Sequence, residues 1–183
     1  MRPTSPRIHP LAPHGYTDEQ SSVVGGREAS INTLNLTRTL VQHPSLFRSW
    51  MPFAEYMGLR SILPARDREI FVLRIISLCD SAYETSHHLF IAQKIGLTRE
   101  EIVAAQEGDA TLSSFEQVLV RAADELVRDH CISDPTWGSL AERYTPRQLI
   151  ELVYTGGMYM VLSVVTNSLG IQPEENVEQA WKP

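Results

Sequence analysis

The chain has 183 residues, 43% hydrophobic and 21% charged, with 16 Lys and Arg against 22 Asp and Glu for a formal charge of -6. That length and apolar content suffice for one domain with a sizeable core, while the modest negative charge and the lack of a Lys/Arg run argue against a nucleic-acid partner. Cys79 and Cys131, the two cysteines, lie far apart with no Cys/His ligand spacing beside them, so neither a disulfide framework nor a zinc module is expected; reduced cytoplasmic thiols are the default.

Residues 1–30, "MRPTSPRIHPLAPHGYTDEQSSVVGGREAS", hold four prolines and no apolar stretch of the signal-peptide kind. They are expected to form an extended arm lying across a surface, such as a neighbouring subunit's, rather than packing a core. Beyond them helix punctuation recurs and no convincing period-2 strand appears, so the predicted fold class is all-α, with a helical domain over 31–172 and a polar tail over 173–183.

Within that domain, 31–42 shows helical spacing of Ile31, Leu34, Leu36 and Leu40, ended by His43-Pro44. "SLFRSWMPFAEYM" is a second helix, interrupted or kinked near Pro52, before a loop opened by Gly58 and closed by Pro64. Residues 66–79, "RDREIFVLRIISLC", are apolar on nearly every side, which predicts the central helix. Asp80 or Ser81 caps a helix over 82–95, with Gly96 in the left-handed position past its end. Thr98 with Glu101 forms a capping box for a short helix through 106, and Ser113 or Ser114 begins a longer one. Asp134-Pro135 and Thr145-Pro146 read as N-cap and N1 of two more helices, the last through about Ser168. Its tract "LVYTGGMYMVLSVV" is shorter than the ~20 residues a bilayer demands, so a buried helix and no membrane association are expected. Gly156-Gly157 inside it costs about 1 kcal/mol per residue against alanine, which implies close helix packing or room for a ligand.

The stretch "SAYETSHHLFIAQKIG" carries the chemistry. Glu84, His88, Ile91 and Ile95 share a helix face, and the isoleucines assign that face to the core. Glu84 and His88 then need partners, and Glu69, at the edge of the buried stripe of the preceding helix, can supply one. The trio is either a satisfied buried network, with Glu84 bonded to His88, or a general acid–base site. His87, on another face, is expected to be a packing or solvent-edge residue. "ETSH" has the Glu-x-x-His form of di-iron bundles, but the second copy such sites require is missing, so no metal is assigned. Arg74, alone in an apolar helix, is either a structural ion-paired residue or a clamp for a substrate carboxylate.

The segment "LPARDREIFVLRIISLCDSAYETSHHLFIAQKIGLTREEI", with the flanking "HPSLFRSWMPF" and the closing "QLIELVYTGGMYMVLSVVTNSLGI", resembles the carboxymuconolactone decarboxylase family, which shares its helical-bundle fold with alkylhydroperoxidase D. In the peroxidase branch of such proteins a glutamate precedes a C-x-x-C and a histidine follows it. Glu69 and His88 match those two, whereas Ser81 and Glu84 stand where the cysteines would be and Tyr83 replaces the intervening histidine. The resemblance is thus to the cysteine-free branch. It implies a cofactor-independent enzyme acting on a small carboxylated or lactone-type molecule by decarboxylation or related lyase or enolisation chemistry. It further implies catalytic roles for His88, Glu84 and Glu69 and assembly as a trimer or hexamer. Tyr83, Arg74, Trp50, Phe53 and Tyr159 are the candidates for substrate binding. The competing reading is a catalytically silent helical oligomer that binds a ligand or partner; a thiol peroxidase ranks last, since both sulfurs are missing.

Overall fold

The computed structural model describes residues 2–25, 33–108 and 110–177, and among them every regular element is helical. The chain forms two compact units, one of residues 1–60 with 165–183 and one of residues 61–164.

In the first unit, a 3-10 turn at Pro13–Gly15 precedes α1 (Asp18–Val24), whose start is a full capping box between Thr17 and Gln20 with Asp18 and Glu19 in the first turn. The expectation of an extended arm is therefore corrected for residues 18–24. Val23 and Val24 are buried in an apolar cluster with Val41, Phe47 and Met51, and that burial holds the short helix in place. The arm before it lies along its own chain. Arg7 N–H donates to the Leu169 carbonyl (2.9 Å), and Arg38 Nε donates to the Leu11 carbonyl (2.6 Å). At Gly170 (φ +68°) a Cβ would stand 2.6 Å from the Ser5 carbonyl oxygen, so the close crossing there requires glycine.

Helices α2 (Asn35–Leu40) and α3 (Pro44–Leu59) follow, and the part of the predicted 31–42 helix at 31–32 lies outside the described residues. Of the interruption or kink expected near Pro52, the interruption is corrected: α3 is continuous through it and through Gly58. Pro52 sits on the exposed side, where water can satisfy the carbonyl that a proline leaves unbonded.

The second unit is organised by α4 (Ala65–Leu78), in which Ile70, Phe71, Val72, Leu73, Ile75 and Ile76 are all fully buried. Asp80 takes the left-handed conformation (φ 49°), and α5 (Ala82–Lys94) starts two residues later. Helix α6 (Arg99–Glu107) begins on the predicted Thr98/Glu101 capping box and α7 (Ser114–Asp129) on one between Ser113 and Glu116. Those two capping glutamates also hold Arg66 from α4, at 2.6 Å and 2.7 Å, so local cap chemistry and helix packing share the same carboxylates. Helix α8 (Asp134–Ala141) is capped at Ser133, one residue before the expected Asp134, because Glu125 accepts from both the Ser133 N–H and its hydroxyl.

Helix α9 (Pro146–Leu169) is 24 residues long. By length and composition it could cross a membrane, but 56% of its most apolar window is buried inside the protein, which gives that apolarity a core to serve. Its Glu151 receives hydrogen bonds from Ser61 and from the Ile62 N–H, anchoring the chain as it enters α4.

Candidate active site

Glu69 is the fifth residue of α4 and lies on the side that meets α5; it is 1% exposed. His88 stands in the middle of α5 and is likewise buried, and its Nδ1 is 2.7 Å from Glu69 Oε1. Because a carboxylate only accepts, Nδ1 carries the proton and Nε2 is the ring nitrogen left for exchange. Glu84, buried one turn earlier on α5, places a second carboxylate close enough to act on the same ring.

Burial works against a charged His88, but the charge and hydrogen bond of Glu69, together with the charge of Glu84, outweigh it, and Arg68 opposes them. The net effect raises the imidazole's pKa. The Tyr159 ring from α9 meets the His88 ring edge to face, with centroids 4.8 Å apart and planes at 84°. Its phenol is pushed well above the ordinary range by burial and by the two carboxylates, so the hydroxyl stays protonated at any physiological pH and remains a hydrogen-bond donor.

The structure brings Glu69, Glu84, His88 and Tyr159 into one buried neighbourhood, while Tyr83, also buried, packs on His87; two details are corrected. The carboxylate on Nδ1 comes from Glu69 on the neighbouring helix, where i,i+4 spacing had suggested Glu84. The face of α5 is also rotated: Ile95 is exposed past the helix end and Ile91 only half-buried, whereas His87 is buried with its ring 4.6 Å from that of Tyr83. His87 is thus inside, not at the solvent edge.

Arg74 is not a free clamp. Its Nε donates to Asp124 (2.6 Å) and its Nη1 to the Gln106 carbonyl (2.7 Å), which ties α4 to α6 and α7. Trp50 and Phe53 pair with each other edge to face at 5.7 Å in the first unit, where Trp50 also packs against the Val23–Met51 cluster. Gly156 is explained by packing: a Cβ there would lie 2.9 Å from Leu126 Cδ1 and 3.3 Å from Phe71 Cζ. Arg68, which bears on both His88 and Tyr159, was missed by the sequence reading; its position beside Glu69 was the one available signal.

A cleft of about 570 Å³ opens where the α4–α5 turn faces α6, lined in part by Ser77, Ser81, Thr85 and Ser86, and it does not include Glu69, Glu84 or His88. Among the described residues no group of three or more His, Cys, Asp or Glu is arranged to hold a metal ion. Neither cysteine is in a disulfide; Cys79 is partly buried at the end of α4 and Cys131 is exposed after α7.

The all-helical bundle is similar in fold to alkylhydroperoxidase D-like proteins. A peroxidase-related protein from Ralstonia eutropha with an alkylhydroperoxidase AhpD core superposes with a TM-score of 0.73 at 16% identity over 97% of this chain and 96% of its own. The debrominase Bmp8 superposes with a TM-score of 0.74 at 18% identity, covering 94% of this chain and 95% of that one. A cysteine-to-alanine variant of Bmp8 in complex with 2,3,4-tribromopyrrole gives 0.70 at 16% identity, with 94% of each chain covered. No curated protein matches the sequence. Residues 44–127 match the model of the carboxymuconolactone decarboxylase family.

Proposed function

We propose that this protein is a small-molecule enzyme of the carboxymuconolactone decarboxylase type, using His88 for proton transfer on a carboxylated or lactone-bearing substrate without a thiol step. The observation that carries the reading is the buried Glu69–His88 hydrogen bond of 2.7 Å with Glu84 beside it. A histidine whose pKa is raised holds its proton near neutrality and can deliver it, which is what a general acid requires.

In a decarboxylation the bond from carbon to the carboxylate breaks, its electron pair runs into the conjugated carbonyl, carbon dioxide leaves and one proton returns to carbon. His88 Nε2 is the donor of that proton. Glu69 keeps the ring in one tautomer and stabilises the imidazolium, and Glu84 adds to the same field. A neutral Tyr159 hydroxyl is suited to stabilise charge that builds on the carbonyl oxygen. The known relative of this fold seen with a brominated pyrrole supports a small substrate. Ser81 and Glu84 in place of a cysteine pair support acid–base over thiol chemistry.

The test is carbon dioxide release from carboxymuconolactone and from a panel of related lactone carboxylates. His88→Ala and Glu84→Gln should abolish turnover; Glu84→Gln, close in shape to the wild-type side chain, should do so with its melting temperature nearly unchanged, whereas His88→Ala also leaves Glu69 buried without its partner and should melt lower. If the wild-type protein turns over none of the panel, or if both variants unfold, the trio is structural and the proposal fails.

A further inference from the structure

The cleft where the α4–α5 turn faces α6 lies apart from the acid–base site. Ser81, Thr85 and Leu89 line it at a spacing of four residues, so they form one stripe along α5 from its N-cap. At about 100° per residue, Glu84 and His88 stand roughly 80° round the helix from that stripe. The cleft's volume of about 570 Å³ is within the roughly 300–1,000 Å³ of sites that take small molecules. Ile76, Leu89 and Val103 give it apolar walls, and Val103 is exposed there.

Two residues of the turn depart from what local stability favours. Left-handed backbone follows α5, α6 and α9 at Gly96, Gly108 and Gly170, but after α4 it falls on Asp80 (φ 49°). A glycine would adopt that conformation at less cost. Ser81 occupies the N-cap of α5 without a side-chain capping hydrogen bond, whereas Thr98 and Ser113 cap the next two helices fully. Asp80 and Ser81 both line the cleft. Local rules broken side by side at a concave surface mark a place shaped by something other than folding.

The lining also sets the charge of what can enter. Asp80 and Glu107 bring two carboxylates, Ser77, Ser81 and Thr85 bring hydroxyls, and no Lys, Arg or His is among the lining residues. Arg74 reaches the backbone carbonyl of Gln106, another lining residue, but its charge is matched by Asp124 at 2.6 Å. An anion would be repelled, and a purely apolar molecule would leave the acceptors unused. We infer that this cleft binds a small organic ammonium ion, its charge met by Asp80 and Glu107 and its alkyl part lying on Ile76, Leu89 and Val103. An ammonium group has three N–H donors and no acceptor, and carboxylates and hydroxyls are the groups that satisfy it.

The probe is n-hexylammonium, with n-hexanol and hexanoate as neutral and anionic counterparts of the same length. Titrated into the isotope-labelled full chain, hexylammonium should shift the amide NMR signals of residues 76–89 and 103–107 with a Kd of about 1 mM or tighter. Hexanol should bind about tenfold more weakly and hexanoate not at all. Asp80→Asn combined with Glu107→Gln should weaken hexylammonium by about tenfold and keep the fold, because asparagine also tolerates the left-handed position. Glu19→Gln combined with Glu142→Gln removes the same charge from exposed positions elsewhere and should leave the affinity unchanged. No binding of hexylammonium, equal binding of hexanol, or equal weakening in the Glu19/Glu142 double variant would overturn the inference. So would shifts centred on Glu69, Glu84 and His88, which place the cation in the acid–base site. If the Asp80/Glu107 double variant does not fold, the shift map and the three-probe comparison on the wild-type chain decide.

Discussion

Replacing Glu69 by glutamine changes one charge in the buried pair and little else. The amide oxygen of the substituted side chain can still accept the Nδ1–H of His88 at the 2.7 Å the carboxylate now occupies, so shape and hydrogen bonding survive. What is lost is the charge. Burial is the largest single influence on His88, and it lowers the pKa; Glu69 supplies the two largest influences that raise it, and Glu84 alone, opposed by Arg68, remains. Without the Glu69 charge, burial outweighs what Glu84 still contributes, so the imidazole pKa should fall in Glu69→Gln.

The sign of the pH dependence should change with it. In the wild-type protein the folded pKa lies above the unfolded value of about 6.5, so the stability His88 contributes is complete below pH ~6.5 and is lost as pH rises through the folded value. In Glu69→Gln the folded pKa drops below the unfolded one, the unfolded chain binds the extra proton, and stability rises with pH up to ~6.5. Ring-proton NMR titration reads the first effect, with His88→Ala used to assign the resonance among the six histidines, and melting temperature against pH reads the second. Turnover at neutral pH should fall about 10²-fold or more, as loss of a general acid predicts. An unchanged titration midpoint for His88 in Glu69→Gln would refute the assignment of Glu69 as the group that tunes it.

Gly156→Ala should lower stability by about 1 kcal/mol, since the new methyl meets Leu126 and Phe71 in a closed core and the strain exceeds the helix-propensity gain; chemical denaturation measures it. Arg74→Lys loses the fork that holds Asp124 and the Gln106 carbonyl at once. It should lower stability by about 1–3 kcal/mol and leave KM unchanged, where a substrate-clamping arginine would raise KM. Tyr144→Phe removes a 2.7 Å hydrogen bond to the buried Asp67 and should cost about 1–3 kcal/mol, read as a drop in Tm. Cys79→Ser with Cys131→Ser should leave turnover intact, and loss of activity in that double variant would point to thiol chemistry.

What the sequence determined by itself is what a few neighbouring residues decide among themselves. The capping box at Thr98, the start of a long helix at Ser113 or Ser114, the left-handed Gly96 and the apolar run of α4 were legible because a cap or a periodic stripe is settled within one or two turns. The same local arithmetic placed Glu84 and His88 together and inward, even though Ile95, one of the two residues used to argue it, turned out to be exposed. At Pro52 and at the start of α8 the sequence could name the place but not the outcome. Which group holds His88 was decided only in three dimensions. Glu69 lies 19 positions away, and its contact with the ring depends on how α4 and α5 are rotated against each other by the whole core between them. The arm shows the same division: its prolines describe a chain that cannot form a core alone, whereas Val23 and Val24 fold into a helix because Val41, Phe47 and Met51 are there to cover them.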